Sequence, residues 1–218
     1  MTQDLIIFDC DGVLIDSEVL ACRIDAEVFT AGGFPITEEE IARRFVGRSA
    51  AQMFAEIEAG FGRPLPVSLR AEVKERLNAA LASEVEAMPG VHVLLDRLTL
   101  PACVASSSDP ARLEVSLGRA GLYDRFHPHI YSAVQVEHGK PAPDLFLYAA
   151  ESLGAAVESC VVIEDSPAGV AAGIAAGMTV IGFTGGGHCG PDHAATLRAA
   201  GAGEVVQSMA DLQGLLCG

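Results

Sequence analysis

Lysine is nearly missing from this 218-residue chain: Lys74 and Lys140 are its only ammonium side chains. Lysine and arginine together number 14 against 29 aspartates and glutamates, a formal net charge of −15. That balance argues against nucleic acid or an anionic membrane surface as the main partner and favours solubility. An anionic substrate would need positive charge supplied locally, by a metal or a few cationic side chains. The six cysteines, at 10, 22, 103, 160, 189 and 217, form no CxxC pair, and Cys10, Cys103 and Cys160 lie in or beside apolar runs. They read as reduced, mostly buried thiols rather than a disulfide framework. No basic segment with a leader-like apolar run opens the sequence, and the longest weakly polar stretch, 168–183, is broken by four glycines and a threonine. Neither a leader nor a membrane span is expected, and the expected location is the cytoplasm. Internal repeats and low-complexity tracts are also lacking.

What is present is organised around Leu5-Ile6-Ile7-Phe8-Asp9-Cys10-Asp11-Gly12. An apolar run of strand length, rich in β-branched and aromatic residues, suits a strand buried on both faces. It stops at two aspartates one residue apart. Asp-Gly is a turn signal, and the acids are open to a capping role. Capping does not explain an acid ending a buried strand, where two crowded carboxylates repel unless a cation lies between them.

The following segment changes period. Apolar positions at helical spacing run through 18–31, a Thr37 cap precedes an acidic first turn and a helix to Phe45, and Ser49 caps a further helix to about Ala59. A long helix is expected over Val67–Ala87, with Val73, Leu77, Leu81 and Val85 on one stripe. From residue 90 strands and helices alternate, with strands at 102–106, 129–132, 160–163, 178–182 and 204–206. Alternation implies a parallel sheet covered on both faces. The first strand belongs to that sheet, so the all-helical block is inserted after it. The division expected is an α/β core of 1–16 and 88–218 with a helical domain of 17–87.

The other strand ends also carry polar groups. Ala105-Ser106-Ser107-Ser108-Asp109-Pro110 places hydroxyls and free amides ahead of a helix, suited either to a phosphate oxygen or to a helix cap. Either Ser108 or Asp109 can cap, which leaves Ser106 free. Lys140, in Gly139-Lys140-Pro141-Ala142-Pro143-Asp144, is either a solvated surface charge or a held cation that balances Asp9. Asp144 reads as the cap of the next helix. Val161-Val162-Ile163-Glu164-Asp165-Ser166 again runs an apolar strand into paired acids, and oxygen ligands from separate loops are what Mg²⁺ requires.

Taken in this order, FDCDGVLIDSE, VASSS, GKPAPDLF and VIEDSPAGVAAG resemble the four motifs of the haloacid dehalogenase superfamily, over essentially the whole chain. The subgroup resembled contains sugar-phosphate phosphatases and β-phosphoglucomutase. The resemblance implies a Rossmann-like parallel sheet with helices on both faces and an all-helical cap inserted after strand one. It implies Asp9 as nucleophile, Asp11 as general acid/base, and Mg²⁺ held by Asp9, Asp11 (through its carbonyl), Glu164 and Asp165. Ser106, Ser107 and Lys140 would bind the phosphoryl group. Arg48, in the mid-cap glycine break, is either a substrate contact or a solvated charge. Asp11 points to phosphoryl transfer, because the dehalogenases lack that acid. The mutases resembled carry a histidine in the first cap helix, whereas the first histidine here is His92, which favours hydrolysis. A phosphosugar mutase and a non-catalytic phosphate- or metal-binding module are the competing readings. The expected partner is a small phosphorylated metabolite, acted on by a monomer or weak homo-oligomer.

Overall fold

The computed structural model describes residues 3–45 and 50–217. Strand β1 (Leu5–Phe8) is buried at every position, as a central strand must be. A helical block follows: α1 (Ser17–Ala31), α2 (Glu38–Phe45), α3 (Ala50–Phe61) and α4 (Val67–Ser83). The chain then alternates through α5 (Val91–Arg97), β2 (Ala102–Ser106), α6 (Pro110–Arg119), α7 (Tyr123–Phe126), β3 (Ile130–Ser132), α8 (Asp144–Leu153) and β4 (Cys160–Glu164). It ends with α9 (Pro167–Ala175), β5 (Thr179–Phe183), α10 (His193–Ala200), β6 (Glu204–Val206) and α11 (Met209–Leu216).

The strands form one parallel sheet in the order β3-β2-β1-β4-β5-β6, a Rossmann-like α/β fold. The chain winds from β1 to one side and returns beyond β1 to the other, so the switch point lies between β1 and β4. A crevice opens there at the carboxyl ends of the strands. Alternate residues of β1 serve opposite faces. Ile6 and Phe8 join an apolar cluster with Leu113 and Leu212, while Leu5 and Ile7 join another with Phe146 and Val170.

The helical block has an apolar cluster of its own, including Val28, Phe29, Phe34, Ile57 and Val73. A capping box starts α2: Glu40 N–H donates to Thr37 Oγ1 (3.1 Å) and Thr37 N–H donates to Glu40 Oε2 (3.0 Å). Entry to and exit from the block run side by side. Ile15 bridges Ala87 in antiparallel fashion, Asp16 N–H donates to Glu86 O (3.1 Å), and Met88 N–H donates to Leu14 O (2.8 Å).

This pairing corrects the expected helix over 67–87. α4 stops at Ser83 because the next residues are drawn out to meet 14–16. Val85, expected at the end of the α4 stripe, is buried in the sheet's cluster instead. The short α7 was not anticipated. Asp144 is the first residue of α8 rather than its cap, which is Pro143. Its carboxylate accepts the His138 N–H (3.3 Å). The expected Ser49 cap lies outside the described residues. Cys10, Cys22, Cys103 and Cys160 are buried free thiols. Among the described residues, no helix is long and apolar enough to cross a membrane.

Candidate active site

The loops after β1, β2, β3 and β4 converge on a cavity of about 710 Å³ at the switch point. Lys140 is its electrostatic centre. Its side chain is only 4% exposed, and Nζ donates to Asp9 Oδ1 (2.6 Å), Glu164 Oε1 (2.7 Å) and the Ala105 carbonyl (2.9 Å). The solvated-surface reading of Lys140 therefore does not hold. Asp9 Oδ2 has no hydrogen-bond partner among the described residues. Glu164 uses its other oxygen on the N–H and hydroxyl of Ser166 (2.8 and 2.9 Å). α9 packs so tightly on this carboxylate that a Cβ at Gly169 would overlap it.

Asp11 is held quite differently. Ser17 Oγ donates to Oδ1 (2.6 Å), Ser108 Oγ donates to Oδ2 (2.7 Å), and Arg112 Nη2 reaches Oδ1 at 3.1 Å. Burial works to raise its pKa. The Arg112 guanidinium and the two hydroxyls outweigh that and hold the carboxyl below its usual range. The cap of α6 is Asp109, which accepts from Arg112 N–H (3.0 Å), and this capping points Arg112 back at the site. Ser106 is buried and accepts from Ser108 N–H (3.1 Å); with Ser107 it lines the cavity.

Asp165 completes the acid group. His188 Nε2 lies 3.0 Å from its Oδ2, and His193 Nε2 lies 2.6 Å from its carbonyl. Gly12 makes this approach possible: its φ is +81°, and a Cβ there would overlap Asp165 Oδ2. The glycine run 185–190, without an assigned role in the sequence, delivers His188. A Cβ on Gly186 would strike the His188 ring, and Gly187 N–H donates to Asp16 Oδ1 (3.2 Å) at the entry to the helical block. His188, Cys189 and His193 offer donor atoms within 4.8 Å of one another, already turned on each other and on Asp165.

Burial, together with the neighbouring carboxylates, pushes Asp9 and Asp165 well above the usual carboxylate range despite Lys140. Asp9 and Glu164 in turn keep Lys140 protonated against its burial. Four carboxylates (Asp9, Asp11, Glu164, Asp165) face two cations (Lys140, Arg112), so full ionisation leaves an excess of two negative charges. Asp9, Glu164 and Asp165 place carboxylate oxygens within 4.8 Å of one another, all buried. An all-oxygen set with that excess fits a hard divalent cation such as Mg²⁺.

Residues 6–183 match the model of the haloacid dehalogenase-like hydrolases. The chain belongs to that family. It is 32% identical over 185 residues to 6-phosphogluconate phosphatase of Escherichia coli (strain K12), covering 83% of this chain and 82% of that one. It is 34% identical over 182 residues to hexitol phosphatase A of the same organism, covering 80% of each. A haloacid dehalogenase-like protein of unknown function from Agrobacterium tumefaciens str. C58 superposes with a TM-score of 0.92 at 42% identity, over 98% of this chain and 97% of that one.

Within this haloacid dehalogenase-like site, Asp9, Asp11, Ser106, Ser107, Lys140, Glu164 and Asp165 are brought together around one cavity. Arg48 lies outside the described residues. Arg23 is bound to Glu84 (2.6 Å) on the outside of the helical block, and Arg44 faces Glu56 (3.8 Å). Sequence reasoning did not place Ser17, Ser108, Arg112 or His188 in the site; Ser108 was read only as a candidate cap, a role that Asp109 takes. Arg112 left one signal: three residues after an N-cap on the β2 loop, it faces the same side as the loop. His188 left none, because its partner Asp165 is reached only through a long loop.

Proposed function

We propose that this protein is a Mg²⁺-dependent phosphatase of small phosphorylated metabolites, of the sugar or sugar-acid kind, working through an aspartyl-phosphate. It is a phosphoric monoester hydrolase of the haloacid dehalogenase-like family. The observation that carries the mechanism is the unequal treatment of the two aspartates. Asp9 has one oxygen fixed by Lys140 and the other free, whereas Asp11 has both oxygens engaged.

Asp9 Oδ2 is available to attack phosphorus, forming an acyl-phosphate as the bond to the leaving oxygen breaks. Lys140 fixes the attacking carboxylate and sets its positive charge beside the phosphoryl group. Ser106 and Ser107 line the place where phosphoryl oxygens sit. Asp11 gives a proton to the leaving alkoxide, then takes one from the water that hydrolyses the acyl-phosphate. The carboxylate form that Arg112 holds is the one required by the second step. The first step needs a protonated Asp11, so the Arg112 contact must loosen when substrate binds. Asp9 and Asp165 would hold Mg²⁺, with the Asp11 carbonyl, while Glu164 serves the cluster mainly through Lys140. When bound, the metal would neutralise charge on the transferring phosphoryl group.

The division into an α/β core (1–16 and 88–218) and a cap (17–87) is part of the same proposal. Its support is the separate apolar cluster of the helical block and the narrow crossing at 14–16 and 86–88. The test is hydrolysis of p-nitrophenyl phosphate by Asp9→Asn and wild type, with and without chelator. A loss on the order of 10³-fold or more in kcat is expected for the variant. Chelation should abolish wild-type activity and added Mg²⁺ should restore it. Equal activity in the variant would remove Asp9 as nucleophile.

A further inference from the structure

The helical side of the cavity carries two acids that the mechanism does not use. Glu18, Ala21, Cys22 and Asp25 form an i, i+3, i+4, i+7 stripe along α1, and all four line the cavity. Asp25 is only 7% exposed, yet it makes no hydrogen bond or ion pair with any described residue. Glu18, half-buried, also makes none. Burial alone pushes Asp25 up to about 7. Burial, then Asp11 and Asp165, does the same to Glu18. The described arginines of the block do not serve these acids: Arg23 is paired with Glu84 and Glu27, Arg70 with Glu58, and Arg76 with Glu27. Neither carboxylate belongs to the fully enclosed polar atoms that lack a partner, so both open into the cavity, and a molecule entering it gains most by bringing donors to them.

We propose that the leaving group of the substrate is an uncharged, hydroxyl-bearing chain that runs along α1 from Glu18 to Asp25, and that a sugar-acid carboxylate is rejected there. This rests on the phosphatase reading above and narrows its sugar or sugar-acid range to the uncharged member. Glu18 feels the charges of Asp11 and Asp165, which places it toward the phosphoryl end; Asp25 feels neither. Seven residues of helix separate them by about 10 Å, a span suited to a chain longer than glycerol. A half-ionised acid both donates and accepts, which matches hydroxyls. The apolar side chains of Ile41, Phe45 and Met53 line the same space and suit C–H surface. A carboxylate at the far end would meet Asp25, while the cavity's Arg112 acts on Glu18 and not on Asp25, and like charges brought together in a buried site are strongly disfavoured.

The test compares kcat/KM for sorbitol 6-phosphate and 6-phosphogluconate, whose carbon chains differ only in an alcohol against a carboxylate at the far end. Glycerol 3-phosphate serves as the short chain and p-nitrophenyl phosphate as the reference, all with Mg²⁺. The hexitol ester is expected to exceed the sugar acid by at least about tenfold, and to exceed the glycerol ester. Asp25→Asn and Glu18→Gln are each expected to narrow the hexitol-to-gluconate ratio by several-fold. Circular dichroism checks that each variant is folded, and the wild-type ratio decides if neither is. If p-nitrophenyl phosphate is turned over but 6-phosphogluconate equals or exceeds the hexitol ester, this inference is overturned and the phosphatase reading stands. If wild type does not hydrolyse p-nitrophenyl phosphate, the phosphatase reading falls and takes this inference with it.

Discussion

The cavity has two walls of different make. On the sheet side Lys140 binds Asp9 and Glu164, Arg112 and Ser108 bind Asp11 (joined by Ser17 from the first residue of α1), and His188 leans on Asp165. On the α1 side Glu18 and Asp25 stand without hydrogen-bond or ion-pair partners among the described residues. The sheet wall is thus assembled before any ligand arrives, as preorganised electrostatics requires. The α1 wall is left incomplete, at a cost in stability that binding can relieve. The chemistry is common to many phosphate esters, so it is built in. The choice of ester is left to groups that only the right partner satisfies.

That contrast predicts opposite consequences for substitutions on the two walls. The largest effect is expected for Lys140→Met. It removes the cation from a fully buried pair and leaves Asp9 and Glu164 facing each other, and breaking such pairs typically costs about 3–5 kcal/mol. Chemical denaturation should show the loss, with phosphatase activity falling on the order of 10³-fold. A stable, active Lys140→Met protein would mean that the sheet wall is not held by this residue.

Arg112→Met should act more mildly, and in a pH-dependent way. Asp11 is held below its unfolded value, so its ion pair stabilises the fold above about pH 4 and loses that contribution as pH falls through the lower folded value. Without Arg112 the Asp11 pKa rises, so the acid limb of the kcat–pH profile should move to higher pH. The rate loss, roughly tenfold, should be greater at pH 5 than at pH 8. An unshifted acid limb would separate Arg112 from the working carboxylate.

Asp25→Asn should have the smallest effect and the opposite sign. The folded-state pKa of Asp25 is raised to about 7 by burial. Its contribution to stability is therefore full below its unfolded value near 4 and is lost as pH rises through about 7. The variant lacks that titration. Its stability advantage over wild type should therefore grow by roughly 2–3 kcal/mol between pH 5 and pH 8. Melting curves at the two pH values check this, and an advantage that does not grow would show that the carboxylate is satisfied after all.

The sequence alone determined the sheet wall's reactive groups. An apolar strand ending in Asp9-Cys10-Asp11-Gly12, another ending in Glu164-Asp165, and serines after a third were legible because strand burial and turn chemistry are local, period-two signals. Parallel winding then requires their carboxyl ends to lie on one side of the sheet. Lys140 was legible only by its scarcity. Tertiary structure decided how those groups differ. Ser17, Ser108 and Arg112 meet at Asp11 across up to 101 positions of sequence, and no periodicity records such a meeting. The end of α4 at Ser83 was likewise a matter of pairing with residues 14–16 rather than of helix propensity. Glu18 and Asp25 read locally as ordinary helix acids. Only the packing of α1 with α2 and α4 over the cavity takes them out of bulk water, and that desolvation turns two ordinary charges into a test that an incoming leaving group must meet.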